Sequence, residues 1–356
     1  MSQKQISGDG SVNVQGGTVN YVTVAGVSAA DVHDLAKKVF EDNFPRLAEK
    51  ASQLAISRAD ELVREFVSTA ASKGGNLSAI ADPDFQYSLL AAQRDFARSG
   101  SEELKTLLAE LLVERSLADG QLEKVVIAES LETVRKLTYR QISALSLAWL
   151  LTGTVMETVN SIEGFLGEAK KHFEPFIGSL PRNNSEYLHI QYSGCATLDY
   201  PSPLGAVVRR QVPGLFQRGF SENAVPEALW GQTVREKLFE KCFHDPPLWQ
   251  IRAMDERSAR RLIASVDLAA HMDLYVGYLS SYELSDSQIE AWLIAQGDFW
   301  PTLVDLWKNT SISRMFISSV GMAIGHANWS AVVGGESPLS DWISEIAPEY
   351  PIRSER

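Results

Sequence analysis

Apolar residues recur along most of this chain at intervals of three and four, the spacing that gathers them on one face of an α-helix. Val32, Leu35, Ala36, Val39 and Phe40 form the first such stripe, with Ser28 and Asp31 placed as a capping box before it. Phe44-Pro45 reads as a boundary, because proline is favoured in the first turn of a helix and disfavoured inside one. A second stripe, Leu47, Ala51, Leu54, Ala55, Leu62 and Phe66, predicts a long helix over residues 46–71 that stops at Lys73-Gly74-Gly75-Asn76. Helices over 84–97, 102–117, 121–136 and 139–152 follow, with Asp82-Pro83, Ser101 and Thr138 as start signals.

Two stretches depart from this period. Residues 7–26 alternate Val with Asn, Thr or Gln, as a strand with one buried face requires, and Gly10-Ser11-Val12-Asn13-Val14 recurs as Gly17-Thr18-Val19-Asn20-Tyr21. A lone hairpin is marginal in water and offers pairing edges, so this segment calls for packing on the body or on copies from other chains. Val12, Val14, Val19, Tyr21, Val22 and Val24 are the candidate oligomerisation residues. The second departure is 153–225, where Pro175, Pro181, Pro201, Pro203 and Pro213 interrupt any long element. Asn184 to Tyr192 reads as a short helix closed by Gly194, followed by strands near 195–198 and 206–209, with a hairpin at Ser193-Gly194 as the competing reading. Helical stripes return over 226–243, 256–280, 286–296 and 312–327, with Asp255 and the pair Ser285/Gln288 as caps. The expected fold is mainly α: a β-segment over 1–27, a helical domain over 28–152, a mixed α/β linker region over 153–225 and a C-terminal helical domain over 226–345.

Composition adds a few exclusions. With 45% hydrophobic and 22% charged residues in 356, the chain has the make-up of an ordinary globular protein. A formal net charge of -12 repels phosphate backbones and anionic headgroups, so nucleic acid is a disfavoured partner. Only Cys195 and Cys242 are present, without a CxxC or a secretory leader, which predicts a reduced, cytoplasmic protein without a disulfide framework.

The segments GDGSVNVQGG, VHDLAKKVFEDNF, LTYRQISALSLAWLL, YSGCATLD and RMFISSVGMAIGHAN together resemble an uncharacterised family of bacterial proteins in which a Gly/Asn/Val segment precedes a helical body. The resemblance spans the chain and implies a bacterial source and a role in conflict between genomes, such as phage defence. It carries no catalytic residue with it.

Chemistry-bearing motifs are sparse. Neither GxxxxGK[ST] nor a strand-linked GxGxxG occurs, and HExxH, GxSxG and an EF-hand loop are also missing; Gly335-Glu336-Ser337-Pro338-Leu339 ends in Leu where a nucleophile elbow needs Gly. Cys242-Phe243-His244-Asp245 brings a thiol, an imidazole and a carboxylate close in sequence, with Cys195 and His189 as partners in space, but buried cysteines and loop histidines of this kind are commonly structural. Arg257, Arg260 and Arg261 share a helical face that Asp255 and Glu256 blunt, and a winged helix over 184–209 would read DNA with SEYLHIQYS, which has no Lys or Arg. Trp230, Trp249, Trp292, Trp300, Trp307, Trp329 and Trp342 crowd the second half, as core or as a partner groove. Residues 315–335 are uncharged and contain Gly321 and Gly325 at the spacing of close helix approach; Ser318, His326 and Asn328 favour a buried helix over a membrane contact.

These observations favour a non-enzymatic, homo-oligomeric interaction protein with a protein partner and no cofactor or metal, acting as a sensor or effector component in phage defence. The alternatives are an effector that perturbs a membrane on activation, through 315–335, and an enzyme with a Cys/His site.

Overall fold

The computed structural model describes residues 29–156, 159–335 and 337–343, with side chains from Ala48 onward. The β-segment and its six candidate oligomerisation residues, Val12, Val14, Val19, Tyr21, Val22 and Val24, lie outside the described residues. The fold is mainly α. Its first half is α1 (Ala29–Lys73), α2 (Pro83–Ser99), α3 (Glu102–Leu117), α4 (Gln121–Val134) and α5 (Tyr139–Gly153). Local chemistry sets most of these ends. Asp82 accepts from the Asp84 amide with Pro83 in the first turn, Ser101 accepts from the Leu104 amide, and Thr138 and Gln141 satisfy each other's backbone donors in a full capping box. Gly100 ends α2 at φ 62°, a left-handed cap that a Cβ would strain.

The expected boundary at Phe44-Pro45 is corrected: α1 runs through it unbroken for 45 residues. Proline withholds one amide from the ladder, and a helix whose bonds resume on both sides survives a single missing one. The stripe on α1 engages the body through its later half, where Leu62, Phe66 and Ala70 are buried and Phe66 meets Phe85 at 5.7 Å, while Leu54 is half exposed.

The second half contains α6 (Ile162–Ile177), α7 (Asn184–Tyr192), β1 (Ala196–Leu198), α8 (Leu204–Gln211), α9 (Glu227–Trp230), α10 (Gln232–Leu238), β2 (Phe239–Lys241), β3 (Trp249–Ile251), α11 (Glu256–Ala264), α12 (Met272–Ser281), α13 (Asp286–Ala295), α14 (Trp300–Asn309), β4 (Met315–Ile317) and α15 (Ser319–Val333). Several expectations are corrected here. Residues 206–209 are helical, because Leu204, Val207, Val208 and Gln211 bury one face at helical spacing after Pro203. β1 turns into no hairpin at Ser193-Gly194 and pairs antiparallel with β4, Ala196 opposite Ile317 and Leu198 opposite Met315, so residues 184–209 form helix, strand and helix with no wing. The stretch 226–243 breaks at Gly231 and ends in β2, which pairs with β3. The stretch 256–280 breaks after Ala264, where Asp267 takes φ 59°. The stretch 312–327 is divided by β4, and Ser318 caps α15 through the Gly321 amide. α6 runs where proline had suggested loosened structure; Pro175 sits in its last turn, and Phe165, Ala169, Phe173 and Phe176 face inward.

Apolar side chains gather in two cores. The larger joins Leu62 through Phe216 to Leu284 through Ile343, and the smaller is built from Phe220, Leu229, Leu238, Phe239, Ile251, Ile263, Tyr275 and neighbours. The chain leaves and rejoins the larger core through one neck, where the Leu284 amide donates to Phe216 O at 2.8 Å and the Arg218 amide to Tyr282 O at 2.7 Å. Inside the smaller core the Tyr275 hydroxyl donates to Leu238 O at 2.7 Å, so the buried phenol keeps a partner.

α15 is the central helix, wrapped by α3, α4, α5 and α6. Ala323 through Ser330 are all buried on it, the signature of a helix with no solvent face. Asn328 Nδ2 donates to Ser146 Oγ of α5 at 2.8 Å, which accounts for a polar group in that apolar run. Gly321 packs on the Cys195 carbonyl and Gly325 on that of Leu145, so both candidate contact glycines meet protein backbone. Among the described residues no helix is long and apolar enough to cross a membrane.

Candidate binding pocket

α5 and α15 lie side by side and each projects a tryptophan toward the same end. Trp149 of α5 is buried, with Trp329 of α15 at 5.3 Å and 62°, and Trp342 at 5.5 Å and 89°. Such edge-on contacts set the positive ring edge against the negative face and add about 0.5–1.5 kcal/mol beyond area burial. Trp342 is brought in by the short 3-10 turn Leu339–Asp341. Gly335 makes room for this: a Cβ there would stand 2.0 Å from the Trp329 ring.

α6 closes another side. Trp329 Nε1 donates to His172 Nδ1 at 2.9 Å, which places the His172 proton on Nε2, and Nε2 in turn meets Glu168 Oε2 at 3.0 Å. Burial pushes the His172 pKa below its ordinary value, helped by Lys171 and opposed by Glu168. Between these elements lies a cavity of about 470 Å³, walled by the three indoles with Met156, Val159 and Phe173; Glu168 and Asp341 are the acidic groups among its described lining residues. The indole N–H groups of Trp149 and Trp342 are buried without an acceptor among the described residues.

The wall holding Trp342 is tied to the core by buried polar groups. His326 Nε2 donates to Ser337 O at 2.9 Å, and the Leu339 amide donates to Glu114 Oε2 of α3 at 3.1 Å. His326 Nδ1 faces Glu114 Oε1 at 3.8 Å, beyond hydrogen-bond reach. One turn away, Lys73 Nζ bridges Glu110 at 2.9 Å and Ser330 Oγ at 2.5 Å, and Ser330 Oγ donates to Gly335 O at 3.1 Å. Burial drives the Glu114 pKa up to about 7, opposed by the Leu339 amide and reinforced by Glu110. Burial likewise lowers His326 to about 4. Both groups are therefore held toward their neutral forms behind the pocket.

The remaining sequence candidates stay apart. Cys242 is buried with Sγ 3.3 Å from Gln217 O, while His244 donates from Nε2 to Leu215 O at 2.8 Å and stacks on Phe216. Cys195 is buried in the other core, its thiol pushed up to about 11 by burial, and His189 pairs with Gln141. Among the described residues no group of three His, Cys, Asp or Glu is placed to hold a metal ion. Arg260 pairs with Glu256 on α11, and Arg209 with Glu283 and Asp286. Five of the seven tryptophans of the second half serve packing elsewhere: Trp230 and Trp249 in the smaller core, Trp292 and Trp300 against Phe165, and Trp307 through a 2.7 Å bond to Ser202 O.

A family model for an uncharacterised family matches residues 26–343. The chain belongs to that family. No curated protein and no solved structure matches it. The matched span takes in every element that builds the pocket, from Lys73 to Trp342, and begins after the repeat of residues 10–21.

Proposed function

We propose that this is a non-enzymatic, homo-oligomeric interaction protein that senses a small ligand through the tryptophan-walled cavity and relays its occupancy to a protein partner. The observation that carries the reading is the state of His172, the one imidazole among the described residues of the cavity wall. A carboxylate on one ring nitrogen resembles the orienting half of an acid–base pair, but the second nitrogen, where a nucleophile or substrate proton would sit, is already taken by Trp329 Nε1. The histidine positions an aromatic wall. Two buried indole donors without acceptors among the described residues cost about 1–3 kcal/mol each, a departure from good packing of the kind that gathers at functional sites. The cavity volume lies in the range of small-molecule sites.

The oligomeric part of the proposal rests on the repeated strand pattern at Val12, Val14, Val19 and Tyr21, and the setting in phage defence on the family resemblance. Saturation-transfer NMR with neutral, anionic and cationic fragments tests the cavity. Fragment signals should appear with the full chain and vanish in Met156→Trp, which fills the space. Signals that survive this substitution unchanged would place binding elsewhere and reject the reading.

A further inference from the structure

The chain treats its tryptophan faces in two ways. At the smaller core, Trp249 carries Lys241 Nζ at 3.9 Å and the Arg235 guanidinium at 5.7 Å, and Arg235 also lies 5.8 Å from Trp230. Those faces are occupied by the protein's own cations. Among the described residues lining the pocket of Trp149, Trp329 and Trp342 there is no Lys or Arg, although Glu168 and Asp341 both line it. Lys171, the neighbour of His172 on α6 that acts on the imidazole, is exposed and outside the lining, and Lys73 behind the wall is held by Glu110 and Ser330. His172 adds no standing charge near neutral pH, since burial lowers its pKa. The result is a concave site with aromatic walls, two carboxylates and, among the described lining residues, no Lys or Arg.

Resting on the reading of this cavity as the ligand site, we propose that it takes an organic cation, the quaternary ammonium head of a ligand, caged by Trp149, Trp329 and Trp342 with Glu168 and Asp341 supplying the countercharge. A quaternary head suits this wall better than a primary ammonium. It is weakly hydrated and donates no hydrogen bond, so it loses little on entering a largely aromatic and apolar wall. An anionic ligand would meet both carboxylates with no Lys or Arg among the described lining residues to compensate them.

Calorimetry on the full chain with choline and with 3,3-dimethyl-1-butanol, its neutral isostere, tests the charge directly. Choline should bind saturably and the isostere about tenfold more weakly. The double variant Glu168→Gln/Asp341→Asn keeps an acceptor for His172 and should weaken choline about tenfold while leaving the isostere unchanged. Equal or tighter binding of the isostere would overturn the cation assignment and leave the cavity reading standing. Binding of neither, together with fragment signals that ignore Met156→Trp, would overturn both. Choline binding without pelleting on phosphatidylcholine vesicles assigns the head to a soluble molecule; pelleting that choline competes away assigns it to a lipid surface.

Discussion

Gly325 of α15 lies against the carbonyl of Leu145 on α5, so close that a Cβ built on it would stand 2.8 Å from the Leu145 oxygen and 2.9 Å from its carbon. Both neighbours are backbone, which cannot rotate away as a side-chain tip can. The close approach of these two helices is what sets Trp149 beside Trp329.

Gly325→Ala should therefore destabilise the protein although alanine is the better helix former. The helix-propensity gain is about 1 kcal/mol, and forcing the two backbones apart costs typically about 1–3 kcal/mol and more with any larger side chain. The control is Gly167→Ala on the exposed side of α6, where a Cβ meets nothing within 4 Å and stability should rise by up to about 1 kcal/mol. Urea midpoints of the two variants decide it; a gain at both sites would show that α5 and α15 do not meet as closely as described.

The pair behind the pocket predicts a particular dependence on pH. Glu114, raised from 4.5 to about 7, keeps a proton in the folded chain that the unfolded chain releases, so its contribution is full below 4.5 and is lost as pH rises through about 7. His326, lowered from 6.5 to about 4, works in the opposite sense: its contribution is full above 6.5 and is lost as pH falls through about 4. The two oppose each other between 4.5 and 6.5, and above that window Glu114 acts alone. Glu114→Gln retains an acceptor for the Leu339 amide and removes the charge. Its denaturation midpoint should fall less than that of the wild type between about pH 6 and about pH 8. Parallel curves for the two proteins would mean that Glu114 is ionised in the fold without penalty.

Much of the helical body was legible because its signals are local. Thr138 with Gln141, Asp255 with Ser258 and Ser285 with Gln288 close capping boxes within four residues, and the stripes that follow bury one face. Of the strands, only Ala196–Leu198 was expected, near 195–198; its partner Met315–Ile317 was read as helix, since three residues have no period of their own and the pairing spans more than a hundred residues. Pro45 misled for a related reason: a local preference was outweighed by a ladder extending well beyond it on both sides. The pocket was half legible. Trp329 and Trp342 stood out in a crowd of seven, but Trp149 belongs to the first half and His172 to a helix that proline appeared to forbid, and only tertiary packing unites them.

The last prediction concerns assembly. The repeat Gly10-Ser11-Val12-Asn13-Val14 and Gly17-Thr18-Val19-Asn20-Tyr21 has the alternation of a strand with one face to bury, and a pair of such strands alone is not stable in water. It precedes α1 in the sequence, and the described residues lining the pocket run from Trp149 to Trp342, so copies joined through it would bring helical bodies together by a separate stretch of chain. Deleting residues 1–26 should thus lower the molar mass measured by light scattering, while the helical circular dichroism and the choline titration stay as they are. Replacing Val12, Val14 and Val19 together by Asp offers the same test without shortening the chain, since like charges on one strand face oppose pairing. Reduced mass in both variants with the body intact supports assembly through this segment. An unchanged mass in both would show that the repeat serves its own chain, and the oligomeric part of the proposed function would fall while the pocket remained.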